Sequence, residues 1–353
     1  MNTTKTILLF IAVCTAFALR ADPLGLVLSG GGAKGAYEVG VWQAMSDIGL
    51  AGDVQALSGT SIGGINAALF ASVPDPRKGE ELWSMNLPSV FVANSNVLEW
   101  ASEKRFVMFL DKRLQNYAET AGIPVSALPA DSRTAIEKEA RTDFNRQEWN
   151  RAGKAALETF IKTYAAEKTD GLCDSVALRS VLWKSLPETW SDYAPSVYVS
   201  ALEKDTWTLR TFRLNDQSPS NRIDRLVAST AIPGVFETVQ IDGKVFVDGG
   251  WESKGGDNVP LEPILENHPE IKTVIIVYLD DKDHYNKNRF DKNHSAAVAA
   301  GVRPVEIVPS ENIGRGWNGW QGVFDASPET AKHLIELGRK DARKALREAG
   351  LAD

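Results

Sequence analysis

The sequence is poor in residues that several classes of protein require. It has two cysteines in 353 residues, Cys14 and Cys173, and Cys14 lies in a segment that we expect to be removed. The one remaining cysteine excludes an intramolecular disulfide and a thiolate metal site. The chain has no long basic run and a formal net charge of −7, so nucleic acid is not an expected partner and attraction to anionic lipid is weak. After residue 21 no stretch is apolar enough to span a bilayer.

The first residues have the pattern of a signal peptide. Lys5 supplies a positive charge, residues 7–19 are apolar, and Ala16-Phe17-Ala18 is a small-x-small cleavage sequence. The apolar segment is too short to span a bilayer comfortably. We therefore predict a signal peptide over residues 1–20, a mature domain over residues 21–353, and a periplasmic or secreted protein. One alternative is a buried first strand or helix; a lipoprotein attached at Cys14 is disfavoured, because Val13 is larger than the residue that usually precedes such a cysteine.

The apolar pattern then alternates between strands and helices. Leu24–Leu28 and Val54–Ser58 have strand character, and each is followed by a helical pattern. This βαβα order is typical of a parallel or mixed sheet with helices on its faces. The other predicted elements are strands at Ser196–Ala201, Trp207–Leu214, Val239–Ile241, Lys244–Val247, Lys272–Leu279 and Pro304–Val308, and a terminal helix at Pro328–Ala349.

Two other segments are predicted to be different. Residues 73–192 form a mostly helical block, which contains a dense apolar cluster between Phe91 and Leu110. That cluster is either an acyl-chain pocket or lid, or the surface that packs the block onto the sheet. Asp280–His294 is polar and is predicted to be a solvated loop.

A glycine-rich turn, Gly30-Gly31-Gly32-Ala33-Lys34-Gly35, follows the first predicted strand. A strand, a glycine turn and a helix aim backbone N–H groups and the positive end of the helix dipole at one point, which favours a negative group there. A nucleotide phosphate is not expected, because Gly35-Ala36 is not the Gly-Lys-Ser/Thr of a P-loop. No acidic residue follows a second strand at dinucleotide spacing either.

A second glycine-rich turn, Gly59-Thr60-Ser61-Ile62-Gly63, matches the G-x-S-x-G nucleophile elbow at a strand-to-helix junction. The sharp turn pushes the Ser61 hydroxyl outwards, and glycine at positions 59 and 63 avoids clashes that a Cβ would cause. The two turns follow successive strands and open at the same edge of the sheet. One turn offers a nucleophile, and the other offers the N–H groups of Gly30, Gly31 and Gly32 to a developing oxyanion.

A nucleophilic serine needs a proton acceptor. Asp248 ends the apolar strand Val245-Phe246-Val247 and precedes two glycines, at a strand end where active sites of α/β sheets collect. Of the four histidines, His284 is the best placed, because it closely follows the strand Lys272–Leu279. The residues alone leave open a Ser61–Asp248 dyad and a Ser61–Asp248–His284 triad.

These motifs resemble those of the patatin-like phospholipases. The turn at 30–35 resembles the family's oxyanion-hole motif, the turn at 59–63 its nucleophile motif, and Asp248-Gly249-Gly250 its catalytic-aspartate motif. Residues 228–233, Ala-Ser-Thr-Ala-Ile-Pro, are similar to a stretch that the family carries shortly before that aspartate. The resemblance implies a three-layer α/β fold with a central, mostly parallel sheet flanked by helices. The helical insertion around 95–170 is not part of the shared pattern.

The resemblance also implies a carboxylic ester hydrolase, a phospholipase A or lipid acyl hydrolase, that uses a Ser61–Asp248 dyad without histidine, metal or cofactor. The expected partner is a lipid or acyl-ester substrate, which the protein binds during transient contact with a membrane surface. No protein partner is expected to be required. Lys34 is expected to be a solvated cation, or else a contact for an acidic head group. The alternatives are a conventional Ser-Asp-His esterase and a lipid-binding protein without turnover.

Overall fold

The computed structural model describes residues 22–73, 75–83, 95–147, 175–280, 287–314, 323 and 327–352. The predicted signal peptide and His284 lie outside the described residues. The chain divides into two compact units. One contains residues 1–90, 178–231 and 239–353, and the other contains residues 91–177 and 232–238. Every predicted site residue that the structure describes belongs to the first unit.

The first unit is built on one mixed sheet of eight described strands, in the order β5-β6-β3-β2-β1-β7-β8 with β4 paired to β3. The run from β3 to β8 is parallel, whereas β4, β5 and β6 pair antiparallel. The strands are β1 (Leu24–Leu28), β2 (Val54–Thr60), β3 (Ser196–Glu203), β4 (Thr208–Arg213), β5 (Val239–Ile241), β6 (Lys244–Asp248), β7 (Thr273–Val277) and β8 (Arg303–Ile307).

The described α-helices cover both faces of this sheet and form most of the described part of the second unit. In chain order they are α1 (Ala36–Asp47), α2 (Ile62–Ser72), α3 (Arg77–Glu81), α4 (Ser95–Ala121), α5 (Ala130–Gln147), α6 (Val176–Ser185), α7 (Pro219–Ser229), α8 (Glu262–Asn267), α9 (Lys287–Ala299) and α10 (Pro328–Glu348). No helix among the described residues is long and apolar enough to cross a membrane.

Alternating side chains on the strands separate two buried apolar layers. Leu26, Leu28 and Leu57 pack in one layer with side chains of α1, α2 and α10. Val27 and Ala56 pack in the other layer with side chains of α8 and α9. Helices therefore lie on both faces of a mostly parallel sheet, which confirms the predicted three-layer α/β fold.

The described part of the predicted helical block is helical. Phe106 on α4 and Ala140 on α5 are buried together, with Phe109 and Leu110 packed against them. The guanidinium of Arg141 lies 3.8 Å from the centre of the Phe106 ring. The side chains of the predicted apolar cluster before Phe106 lie outside the described residues, so the two interpretations of that cluster remain predictions.

The predicted loop over Asp280–His294 is wrong in its second half, where α9 begins at Lys287. The helix forms because it buries one face against the sheet: Ala297 is buried in the second apolar layer and Phe290 packs against that layer. Asn293 Nδ2 also donates to the Val259 carbonyl at 3.2 Å. This buried face was not predicted from the sequence, because few of its residues are apolar.

Candidate active site

Ser61 stands at the turn between β2 and α2, with φ 56° and ψ −127°. This is the left-handed region that favours glycine, so the serine backbone is strained. A Cβ at Gly59 would lie 2.3 Å from the Gly63 carbonyl carbon, and a Cβ at Gly63 would lie 2.5 Å from the Leu28 carbonyl oxygen. Backbone crowding of this kind leaves room only for glycine at both positions, as the elbow interpretation requires.

A buried hydroxyl holds the strained serine in place. The Ser61 N–H donates to Ser229 Oγ at 2.8 Å, and Ser229 Oγ donates to the Ser200 carbonyl at 2.7 Å. Ser229 is completely buried at the end of α7. In the sequence, Ser229 stands out only as part of the motif at residues 228–233, and this contact is not predicted. A small polar residue on the apolar face of a helix was the available signal.

The strand register brings Ser61 and Asp248 together. On β3, Ser200 pairs with Thr60 of β2, and the next residue, Ala201, pairs with Asp248 of β6. Because β4 occupies the other edge of β3, β2 and β6 share one edge. β2 runs parallel to β3, whereas β6 runs antiparallel to it. The carboxyl ends of β2 and β6 therefore point towards each other along this edge. The serine that follows Thr60 therefore lies next to Asp248.

Burial of Asp248 raises the pKa of its carboxyl group to about 6. The Ser61 side chain and the Gly250 N–H, which donates to Oδ1 at 2.7 Å, act in the opposite direction. Oδ2 is buried and makes no well-aligned hydrogen bond within the described ranges. Such a carboxylate is able to accept a proton near neutral pH and to return it.

The glycine turn runs beside the nucleophile, since a Cβ at Gly30 would lie 3.3 Å from Ser61 Cβ. The Gly30 N–H donates to the Asn258 carbonyl at 3.0 Å. It therefore cannot also donate to an oxyanion. The N–H groups of Gly31 and Gly32 donate to no backbone acceptor among the described residues. This leaves the N–H groups of Gly31 and Gly32 as the predicted oxyanion donors.

Asn258 joins the glycine turn to the loop that follows Asp248. Its Nδ2 donates to the Gly30 carbonyl at 3.1 Å and to Ser29 Oγ at 3.2 Å. Its Oδ1 would lie 2.3 Å from a Cβ at Gly30 and 2.4 Å from a Cβ at Gly250. Sequence reasoning missed Asn258, because an asparagine before Val-Pro in a loop carries no distinctive local pattern.

The prediction that Lys34 is a solvated cation is wrong, and the contact with an acidic head group stays a prediction. Its side chain is buried, and Nζ donates to the Leu279 carbonyl at 2.8 Å and lies 3.8 Å from Asp280 Oδ1. Arg289 on α9 binds the same Asp280 and also Glu252, with Nη2 2.8 Å from Glu252 Oε2. These charges fasten the glycine turn to neighbouring loops, and Lys34 does not project towards solvent.

The described histidines have partners other than the candidate nucleophile and carboxylate. Within the described ranges none of them has a hydrogen bond to Ser61 or Asp248. Their contacts include His268 Nε2 to Tyr198 Oη at 3.1 Å, His294 Nδ1 to Glu306 Oε1 at 2.7 Å and His333 Nε2 to Glu311 Oε2 at 3.3 Å.

Fold and site together define an α/β protein with a serine elbow, a facing carboxylate and a glycine turn at one edge of its sheet. The family model described as patatin-like phospholipase matches residues 26–265. The chain therefore belongs to the patatin-like phospholipase family.

Individual relatives are distant or match over short segments. The patatin-like phospholipase domain-containing protein ZK370.4 of Caenorhabditis elegans is 46% identical over 57 residues, which are 16% of this chain and 4% of that protein. VipD from Legionella pneumophila has a TM-score of 0.47 at 16% identity, over 93% of this chain and 67% of VipD. Human group IVD cytosolic phospholipase A2, solved with methyl gamma-linolenyl fluorophosphonate, has a TM-score of 0.40 at 10% identity, over 94% of this chain and 58% of that protein.

Proposed function

We propose that the chain is a serine lipid acyl hydrolase that cleaves acyl esters of phospholipids or related lipids. The observation that carries the proposal is the register at β3, where the ends of β2 and β6 meet at Ser200 and Ala201. Ser61 is the nucleophile, Asp248 is the proton acceptor, and the N–H groups of Gly31 and Gly32 bind the oxyanion. Membership of the patatin-like phospholipase family supports the lipid substrate class.

In the first half-reaction, Ser61 Oγ attacks the ester carbonyl carbon while Asp248 accepts the hydroxyl proton. The charge that develops on the carbonyl oxygen is held by the two glycine N–H groups, and loss of one such donor typically costs about 2.7–4 kcal/mol. Asp248 then gives its proton to the leaving alcohol or lysolipid as the C–O bond breaks. The acyl group remains on Ser61.

In the second half-reaction, Asp248 takes a proton from water, whose oxygen attacks the acyl-Ser61 carbonyl. The same N–H groups hold the second oxyanion, and Asp248 returns the proton to Ser61 Oγ as the fatty acid leaves. The raised pKa of Asp248, about 6, supports both roles, because it makes the aspartate a stronger base than an exposed one.

The test is turnover of a panel of esters and phospholipids, with fluorophosphonate labelling, by the wild type, Ser61→Ala and Asp248→Asn. We expect Ser61→Ala to abolish labelling and turnover, and Asp248→Asn to lower kcat by roughly a thousandfold or more. Activity that persists in both variants would contradict the proposed site. An unlabelled wild type without turnover would instead indicate a lipid-binding protein.

His284→Ala separates the dyad from a triad. With a dyad, the variant keeps its kcat, whereas a triad loses roughly a thousandfold or more.

We further propose that the protein is exported, on the basis of the signal-peptide pattern at residues 1–20. Cell fractionation of the full chain and of a variant without residues 1–20 tests this proposal. Export is contradicted if both are found in the cytoplasm.

A further inference from the structure

Glu38 is an acid without a part in the proposed chemistry, and it is completely buried in the first turn of α1. Its Oε2 accepts a hydrogen bond from Asn66 Nδ2 at 2.8 Å. Its Oε1 has no well-aligned hydrogen bond among the residues with described positions. Burial raises the pKa of Glu38 well above its ordinary range. An apolar side chain of similar volume would avoid the desolvation cost of this acid.

Glu38 and Asn66 contact both ends of the glycine turn. The Ser29 N–H, just before the turn, is close enough to favour the charged form of Glu38. Asn66 Nδ2 also donates to the carbonyl of Gly35, the last residue of the turn, at 3.0 Å. Trp83 Nε1 donates to Asn66 Oδ1 at 3.2 Å. The Asn66 amide can donate to Glu38 and Gly35 and accept from Trp83 in one orientation only.

Asn66 lies on α2, the helix whose N-cap is Ser61. The nucleophile and Asn66 therefore belong to one rigid element, and the glycine turn and Glu38 belong to β1, α1 and the turn between them. The Glu38–Asn66 hydrogen bond joins these two elements behind the site.

We propose that Glu38 is a positioning residue which, through Asn66, holds the oxyanion-binding turn at its working distance from Ser61. This inference rests on the proposed function. Its effect is on kcat, because a displaced N–H group weakens binding of the oxyanion more than binding of the neutral ester. A displacement of about 1 Å at a catalytic group can cost about a hundredfold in rate.

The experiment compares Glu38→Ala, Glu38→Gln and Ser61→Ala with the wild type in the full chain. Asp341→Ala is the matched control, since Asp341 is also a buried carboxylate that contacts α1, through the Tyr37 hydroxyl at 3.2 Å. Asp341 also accepts a hydrogen bond from the Ser310 N–H at 2.8 Å. Neither of these two partners belongs to α2. The measurements are kcat and KM on an acyl ester, the rate of fluorophosphonate labelling, and thermal unfolding. The labelling endpoint counts folded sites.

We expect Glu38→Ala to lower kcat per labelled site by about tenfold to a hundredfold with KM little changed. Labelling is expected to slow by a similar factor, because the phosphoryl oxygen occupies the same N–H groups. Glu38→Gln is expected to recover most of the rate, since its amide oxygen accepts from Asn66. Asp341→Ala is expected to lower the unfolding temperature without lowering kcat per site.

The inference is overturned if Glu38→Ala keeps the wild-type kcat per labelled site, or if Asp341→Ala loses as much. It is also overturned if Glu38→Gln is as slow as Glu38→Ala. If Ser61→Ala stays active, the proposed function fails, and the inference fails with it. If Ser61→Ala is inactive while Glu38→Ala is normal, the inference fails alone.

Discussion

At the scale of single residues, the environment of Asp248 sets the pH dependence of the proposed reaction. Burial raises its pKa to about 6, and only the deprotonated carboxylate accepts the Ser61 proton. We predict that kcat/KM rises tenfold per pH unit below about pH 6 and becomes constant above it. The pH profile of ester hydrolysis checks this. A profile without an acid limb near pH 6 would show that a different group accepts the proton.

The same burial means that the charged form of Asp248 lowers the free energy of unfolding at neutral pH. Its folded-state pKa, about 6, lies above its ordinary value of 3.8, so the folded protein holds the proton more tightly than the unfolded chain. The stability present below about pH 4 is therefore lost as the pH rises through 6. We predict that Asp248→Asn unfolds at a higher temperature than the wild type at pH 8, and that this difference shrinks towards pH 4. A difference independent of pH would contradict the assignment.

Ser229 provides a third residue-scale prediction. Ser229→Ala leaves the buried Ser61 N–H without its acceptor, and an unsatisfied buried donor typically costs about 1–3 kcal/mol. Because the lost bond holds the nucleophile itself, we expect kcat to fall about tenfold or more. Ser46→Ala is the control, since Ser46 Oγ donates only to the Trp42 carbonyl within α1. Equal kcat values for the two variants would mean that Ser229 does not position Ser61.

The turns at 30–35 and 59–63 and the strand end at Asp248 were visible in the sequence, because glycines and apolar runs mark them locally. The predicted roles of these residues stay predictions until they are tested. Asn258 and Glu38 were missed for a physical reason. Asn258 binds Gly30 across 228 positions of sequence, and Glu38 binds Asn66 across 28. Side-chain hydrogen bonds between distant elements leave no local pattern.

At the scale of elements, the predicted strands agree with the structure to within a few residues. Lys272–Leu279, predicted from its β-branched run, corresponds to β7, and Val54–Ser58 corresponds to β2, which extends to Thr60. Apolar periodicity reports burial, and these strands are buried on both faces. The helix α9 was missed because its buried face has few apolar residues.

The junction of β2 and α2 allows an element-scale test. In Gly63→Ala, the new Cβ would stand 2.5 Å from the Leu28 carbonyl oxygen and 2.7 Å from that of Ser29. Neither backbone atom can move without displacing β1, so we expect lower stability and at least a tenfold loss of kcat per folded molecule. Gly52→Ala is the matched control, because nothing lies within 4 Å of its Cβ position. Thermal unfolding and ester turnover measure both effects. Similar behaviour of the two variants would contradict the predicted crowding.

At the scale of the whole molecule, the sheet does not end where the family match ends. The match stops at residue 265, yet β7 lies inside the parallel run, between β1 and β8. α10 also packs tightly against α1: a Cβ at Gly338 would lie 2.0 Å from the Tyr37 carbonyl oxygen. Residues after 265 are therefore part of the same core as the site.

We predict that a chain of residues 22–265 does not fold, although it keeps every predicted site residue. It lacks Val274, Ile275, Ile276 and Val277 of β7, all completely buried. At about 1.5–3 kcal/mol per buried apolar side chain, this loss is roughly 6–12 kcal/mol, comparable with the whole stability of a domain. Lys34 also loses the Leu279 carbonyl that binds it. The measurements are thermal unfolding and fluorophosphonate labelling, with residues 22–353 as the control that folds and labels. Cooperative unfolding and labelling of the shorter chain would instead mean that β7 and α10 are additions to a core that is complete without them.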